Sequence, residues 1–253
     1  MERLALMAVI AHPGDELAVA GTLARYARAG VHVALVCATP GAAGRLGAER
    51  EHDLRCACLR LGIGELHNLG FAASTGAGQA APPQALVRAP ACEVVRRLVH
   101  LMRAIRPQVV LTFEPNGIDG QADHVAIGGL ASQAFGAAGD LQQFPRDGGP
   151  EPHAPARLYR FGLPEGLLRL AGLGGRATPD DEVRTRLDVA QFVDAKLDAA
   201  RCYRTPVEQP LAGLLTLPPA ERRHLLSAEF MNLAQPQPAV ADATDEQLFA
   251  GIP

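Results

Sequence analysis

The chain has no run of 18 or more apolar residues, so nothing in it reads as a membrane-spanning helix. No basic segment precedes the first apolar run, Leu4 to Ile10. That run is also too short for a secretory leader and is expected to be the first strand. Charge of neither sign dominates: 24 Lys and Arg against 27 Asp and Glu leave a formal net charge of -3. A balance of this kind gives no global attraction to nucleic acid or anionic lipid, so neither is an expected partner. The five cysteines are odd in number and scattered, and no pair has the spacing of a zinc finger or a redox motif. They are expected to be reduced, small apolar groups in a cytoplasmic protein. Internal repeats are absent. The glycine-rich stretch Gly41 to Gly47 lacks the Gly-Lys-Ser/Thr ending of a phosphate loop.

What is present fits one sizeable core. With 253 residues, 48% hydrophobic and 20% charged, a single domain over 1–253 is expected, with an irregular portion after about 205. Apolar runs predict strands at Leu4–Ile10, Val31–Cys37, Glu65–Leu69, Val109–Phe113 and Leu158–Gly162. Helical spacing predicts helices at Glu16–Ala29, Glu49–Leu61, Glu93–Ile105, Val125–Phe135, Val189–Arg201 and Pro219–Leu226. Residues 72–90 and 136–156, rich in Gly, Pro and Ala, are expected to be irregular. Strands alternating with helices argue an α/β class: a mainly parallel sheet with helices on both faces.

Two short motifs carry the chemistry. Ala11-His12-Pro13-Gly14-Asp15-Glu16 follows the first strand directly, and Asp123-His124 opens a helix after the strand at Val109–Phe113. In open α/β sheets, ligands bind at the carboxyl ends of strands. His12, Asp15 and His124 form a two-histidine, one-carboxylate set, the usual protein share of a catalytic zinc site with one open position. Another divalent transition metal suits the same donors. Asp123 has the character of a carboxylate that orients a metal-binding imidazole.

These residues resemble the PIG-L/LmbE-like zinc-dependent de-N-acetylases. That family carries Ala-His-Pro-Asp-Asp-Glu after its first strand and His-Pro-Asp-His further on; here the second motif stands as Gln121-Ala122-Asp123-His124. Arg50, Asp53, Leu54, Leu61 and Gly62 resemble the family's Arg-x-x-Glu-Leu helix. Asp194-x-Lys196 with Tyr203-Arg204-Thr205 resembles its C-terminal helix. The resemblance spans about residues 3 to 205. It implies a Rossmann-like fold, zinc at His12, Asp15 and His124, and Arg50 as a substrate-binding residue. The family's general base falls on Gly14, its second catalytic histidine on Gln121, and a sugar-contacting Asp near Ala73.

Amide hydrolysis on zinc needs a base for the water proton and an acid for the leaving amine. Glycine supplies neither, and glutamine donates a hydrogen bond without shuttling a proton. Glu16, Asp123 and Gln121 are therefore the expected catalytic set, with Glu114 and Asp119 as further carboxylates in reach. The expected function is a zinc-dependent hydrolase of the deacetylase type on a small polar or sugar-linked amide, with weakened or altered activity. The alternatives are a zinc-dependent hydratase on the same scaffold and a metal-containing binding protein. The expected partner is a small molecule, and a homo-oligomer is left open.

Overall fold

A computed structural model describes residues 3–74, 80–145, 148–173, 176–207, 210–236 and 247–252. Its seven strands are β1 (Ala5–Ile10), β2 (His32–Cys37), β3 (Glu65–Asn68), β4 (Val109–Phe113), β5 (Arg157–Gly162), β6 (Thr185–Asp188) and β7 (Ala228–Gln235). They lie in the order β3-β2-β1-β4-β5-β7-β6. The first five are parallel; β7 runs antiparallel to both β5 and β6. All residues of β1 and β4 are buried, odd and even alike, as a strand covered on both faces requires.

The covering helices are α1 (Ala20–Arg28), α2 (Gly44–Leu61), α3 (Ala91–Ile105), α4 (Ala122–Ala137), α5 (Glu165–Leu170), α6 (Val193–Ala200), α7 (Leu211–Thr216) and α8 (Pro219–Leu225). α1, α2 and α6 pack together, and α3 packs with α4. Among the described residues no helix is long and apolar enough to cross a membrane.

Three expectations change. The helix expected at Glu16–Ala29 is broken: Asp15–Ala18 is a 3-10 turn, and α1 begins at Ala20. Asp15 and Glu16 reach back to backbone amides of residues 11, 12 and 14, which favours the tight turn over a continuous helix. The start of α1 is instead capped from a distance, by Glu229 on the amides of Gly21 and Thr22, with Lys196 Nζ on the same carboxylate at 2.7 Å. The second helix starts at Gly44, five residues before the expected Glu49, within the glycine-rich stretch Gly41 to Gly47. Gly47 makes this start possible, since a Cβ there would lie 2.4 Å from the Ala42 carbonyl oxygen.

The portion after about 205 is not irregular throughout: α7, α8 and β7 follow, and β7 sits inside the sheet. Its polar content (Glu229, Asn232, Gln235) hid it from an apolar-run criterion. The irregular segments expected at 72–90 and 136–156 include residues 75–79 and 146–147, which lie outside the described residues.

The cysteine expectation is also corrected. Cys56 on α2 and Cys202 just after α6 form a disulfide across 146 residues of sequence, with Cα atoms 5.7 Å apart. Sequence spacing could not show it, because the packing of α2 on α6 creates the proximity. Cys37 and Cys58 are free and buried, as small apolar groups are, whereas Cys92 is free and exposed.

Candidate metal and active site

The chain runs outward from β1 through β2 to β3, then crosses back to β4 on the other side of β1. The crevice at the carboxyl ends of β1 and β4 is thus where the strand order reverses, the place such sheets bind ligands. His12 and Asp15 follow β1. His124 lies in the first turn of α4, reached by the loop that leaves β4. All three are buried, and one ligand atom from each lies within 4.8 Å of the others.

Each ligand is held by a second group. His12 Nε2 pairs with Asp123 Oδ2 at 2.9 Å, which leaves the ligand role to Nδ1. The same Asp123 oxygen accepts the Ser74 amide at 2.7 Å. His124 Nδ1 pairs with Asp119 Oδ1 at 2.8 Å, and its ring stacks on Phe113. Its Nε2 has no hydrogen bond and faces Asp15 Oδ1 at 3.3 Å. Asp15 Oδ2 accepts the amides of Ala11 and His12, which aims Oδ1 toward the histidines. Burial pulls the His124 imidazolium down, but Asp15 and Asp119 on either side more than offset it, and its pKa stands at about 11. A buried position that holds a proton this firmly between two carboxylates is one built for positive charge. Two imidazoles and a carboxylate, each aimed by a second group, fit zinc or a similar divalent ion.

The other expected residues take distinct places. Glu16 is fully buried behind the loop: Tyr203 donates to Oε1 at 2.7 Å, and the Gly14 amide to Oε2 at 2.9 Å. Burial raises its carboxyl to about 7, against the lowering effect of those bonds. Gln121 donates from its backbone and its side chain to Asp119, at 2.9 and 2.6 Å. Burial raises the Asp119 carboxyl, but His124 and Gln121 outweigh it and the net shift is downward. Arg50 is buried, with Nη2 on the Pro13 carbonyl at 2.9 Å and Nη1 on the Pro206 carbonyl at 3.1 Å. Glu114 lies away from the three ligands' hydrogen bonds, accepting from Thr178 Oγ1 at 2.6 Å, and burial raises its pKa. Gly14 has φ +106, a backbone conformation that side-chain-bearing residues rarely adopt. Two contacts were not read from the sequence: Ser74, which takes part through its backbone amide, and Tyr203, named there only within the C-terminal motif, whose hydroxyl reaches Glu16 across 187 residues. A tyrosine beyond a C-terminal helix carries no spacing signal that ties it to the first motif.

A cleft of about 690 Å³ opens beside this site, between the loops after β2 and β3. Gly41, Ala42, Ala43, Gly44, Ala72 and Ala73 make up much of its wall, and Ser74 links it to Asp123. Glu51 is the one charged side chain among its described lining residues. Its size is ordinary for a small-molecule site.

A parallel α/β sheet with two histidines and a carboxylate at its strand-order reversal defines a class, and the family comparison agrees: the PIG-L family, described as GlcNAc-PI de-N-acetylase, matches residues 7–135. The chain belongs to this family. Among its relatives is the 1D-myo-inositol 2-acetamido-2-deoxy-alpha-D-glucopyranoside deacetylase of Thermomonospora curvata, 31% identical over 98% of this chain and 97% of the relative. The fold is shared with the N,N'-diacetylchitobiose deacetylase of Pyrococcus horikoshii, at a TM-score of 0.66 and 17% identity, covering 92% of this chain and 84% of that one. It is shared equally with the 4-carboxy-2-hydroxymuconate hydratase of Pseudomonas putida, at a TM-score of 0.64 and 18% identity, covering 94% and 98%. Two chemistries on one fold mean that the site, not the fold, must carry the functional argument.

Proposed function

We propose that this chain is a zinc-dependent de-N-acetylase that hydrolyses the acetamide of a small amino-sugar conjugate, an aminoglucosyl inositol or a similar polyol glycoside. The observation that carries the reading is the convergence of His12, Asp15 and His124, each held by a second group, in a member of a de-N-acetylase family. The Thermomonospora relative, matched along nearly its whole length, supports the substrate class.

Zinc held by His12, Asp15 and His124 would supply a Lewis acid and a water of lowered pKa. The remaining work falls to the chain. Asp123, braced by the Ser74 amide, fixes the His12 ring. Asp119 fixes the His124 ring, and of the carboxylates that touch the ligand histidines it is the more exposed, at 17% against 7% for Asp15 and 0% for Asp123. Both Asp119 oxygens are engaged, Oδ1 by His124 Nδ1 and the Gln121 amide and Oδ2 by Gln121 Nε2, so Asp119 too is assigned to hold its histidine and not to receive the water proton. Gln121 holds Asp119 by two hydrogen bonds and is a positioning residue, since an amide cannot carry a proton onward. Glu16 is assigned to hold the ligand loop, both its oxygens being engaged. Arg50 is likewise engaged, with the Pro13 and Pro206 carbonyls, and is assigned to hold the ligand loop. The cleft beside Ser74 takes the non-reacting part of the conjugate.

Glu16, Asp119 and Asp123 are all held by the chain's own groups and position 14 is glycine, so turnover is expected to be slow beside a relative with an Asp at position 14. Loss of a general base costs ~10²–10⁴-fold. A cytoplasmic setting belongs to the same proposal. There, a disulfide such as Cys56–Cys202 would be in exchange with cellular thiols.

The test is amine release from N-acetylglucosaminyl inositol and simple N-acetyl sugars, with chelator and zinc add-back. Chelator-sensitive release supports the reading. Absence of release from zinc-loaded protein overturns it. Hydration of an unsaturated carboxylate by that same sample would establish the hydratase alternative, and neither activity from zinc-loaded protein the binding-protein alternative.

A further inference from the structure

One side of α2 grips a single short segment at three successive positions. Arg50 donates to the Pro206 carbonyl; Asp53 Oδ2 accepts the amides of Arg204 and Thr205 and the Thr205 hydroxyl at 2.9–3.2 Å; Cys56 is bonded to Cys202. Residues 202–206 thus form a strap tied to α2 along its length. The strap in turn lies on the loop that carries His12 and Asp15. Arg50 bridges the two by donating to Pro13 as well as Pro206. The Tyr203 hydroxyl bonds Glu16, which holds the Gly14 amide. A Cβ on Gly14 would sit 3.7 Å from Val207 Cγ1 and 4.0 Å from the Tyr203 ring, so Tyr203 and the residue after the strap border the loop at this position.

We propose that the Cys56–Cys202 disulfide and Tyr203 position the His12–Glu16 loop through this strap, making cation affinity at the site responsive to thiol redox state. The inference rests on the metal-site reading above. Reduction by a low-molecular-weight or protein dithiol transfers two electrons and two protons to the S–S bond. It yields the two thiols of Cys56 and Cys202 and the reductant's own disulfide, so the step is balanced and reversible. The global fold does not hang on this bond, because α2 and α6 remain packed and Asp53, itself 1% exposed, keeps its three hydrogen bonds. What reduction frees is the first residue of the strap, immediately before Tyr203. Tyr203 is a positioning residue: it reaches Glu16, not the ligand atoms.

Groups that contact metal ligands directly change metal affinity about 10–100-fold when removed. The strap acts one step further out, so reduction should weaken zinc affinity about tenfold, at the lower end of that range. The test uses the full chain in three forms: oxidised, reduced with a phosphine that is then removed with the thiols alkylated, and Cys202→Ser. Free thiols are counted, amide exchange is mapped, and zinc is titrated against a chromophoric chelator. The oxidised chain should show three free thiols, the reduced chain five before alkylation, and Cys202→Ser four. Exchange should quicken at residues 13–16 and 203–206 while β1, β2 and β4 keep their protection, and zinc affinity should fall. Tyr203→Phe, with its disulfide intact, should quicken exchange at 13–16 alone.

Five thiols in untreated protein would overturn the proposal, as would unchanged exchange at 13–16 after reduction, or loss of protection throughout the sheet. If Cys202→Ser does not fold, the reduced wild type still decides. If oxidised protein binds no zinc, the metal-site reading fails, and the exchange at 13–16 still tests the strap.

Discussion

His12, Asp15 and His124 are each 3–5% exposed, and each is held by a further group of the chain: Asp123, two backbone amides, and Asp119. The positions beside them in the same two loops, Gly14 and Gln121, carry no group that can move a proton. Every donor of the proposed cation cage is braced; the positions next to it lack a group that moves a proton. Holding a cation and moving a proton are separable demands, and this chain meets the first more fully than the second. A carboxylate at position 14 would have to adopt the φ of +106 that glycine adopts freely, so the loop itself is shaped around the missing side chain.

The comparison breaks most sharply at the ligands. His124→Ala removes one imidazole from a three-donor set, and elemental analysis of the purified variant should find no bound metal. Stoichiometric zinc in that variant would remove the cage from the account.

Next in size is a pH effect on the metal-free protein. Burial holds Glu16 at about 7, against an ordinary 4.5. The folded chain therefore keeps a proton that the unfolded chain releases. The corresponding stability is full below about pH 4.5 and is lost as pH rises to 7 and beyond, by up to about 3 kcal/mol. Denaturant unfolding at pH 5 and pH 8 should show this loss, and Glu16→Gln should flatten it. Equal slopes for both proteins would mean that Glu16 is ionised in the fold.

Smaller again are the orienting carboxylates. Asp119→Asn and Asp123→Asn should each weaken zinc binding about 10–100-fold with the fold retained, read by chelator competition. If only one of them does, the bracing of the two histidines is unequal. The smallest effect falls on the loop. Gly14→Ala should cost about 1–2 kcal/mol of stability, because the penalty is one of backbone conformation. Gly14→Asp should lose the same amount, since its Cβ meets only ordinary contacts at 3.7 and 4.0 Å. Any gain in amine release by Gly14→Asp would thus come in a less stable protein. A variant as stable as wild type would show that the loop relaxes to a second conformation.

Much of this was legible in the chain. β1, β2 and β4 are nearly continuous apolar runs, so periodicity located the centre of the sheet, and the two motifs after β1 and β4 pointed to the residues proposed here as the cage. What escaped detection depends on contacts that sequence distance conceals. Glu229 caps α1 from the far end of the chain, Tyr203 reaches Glu16 across 187 residues, and Cys56 meets Cys202 across 146. β7 was hidden because Glu229, Asn232 and Gln235 interrupt its apolar residues. The roles of Glu16 and Arg50 were hidden for a different reason. A motif names residue types without showing whether their polar atoms point at a ligand or at the backbone, and here both are engaged by the chain's own groups.

The most direct test of the cage is calorimetric titration of metal-free wild-type protein with zinc near neutral pH, in buffers of differing ionisation enthalpy. His124 is protonated in the metal-free site, so binding must displace that proton. The expected result is one zinc per chain with release of about one proton. Binding whose heat is independent of the buffer would contradict the protonated state of His124, and absence of binding would contradict the assignment of His12, Asp15 and His124 as the cation site.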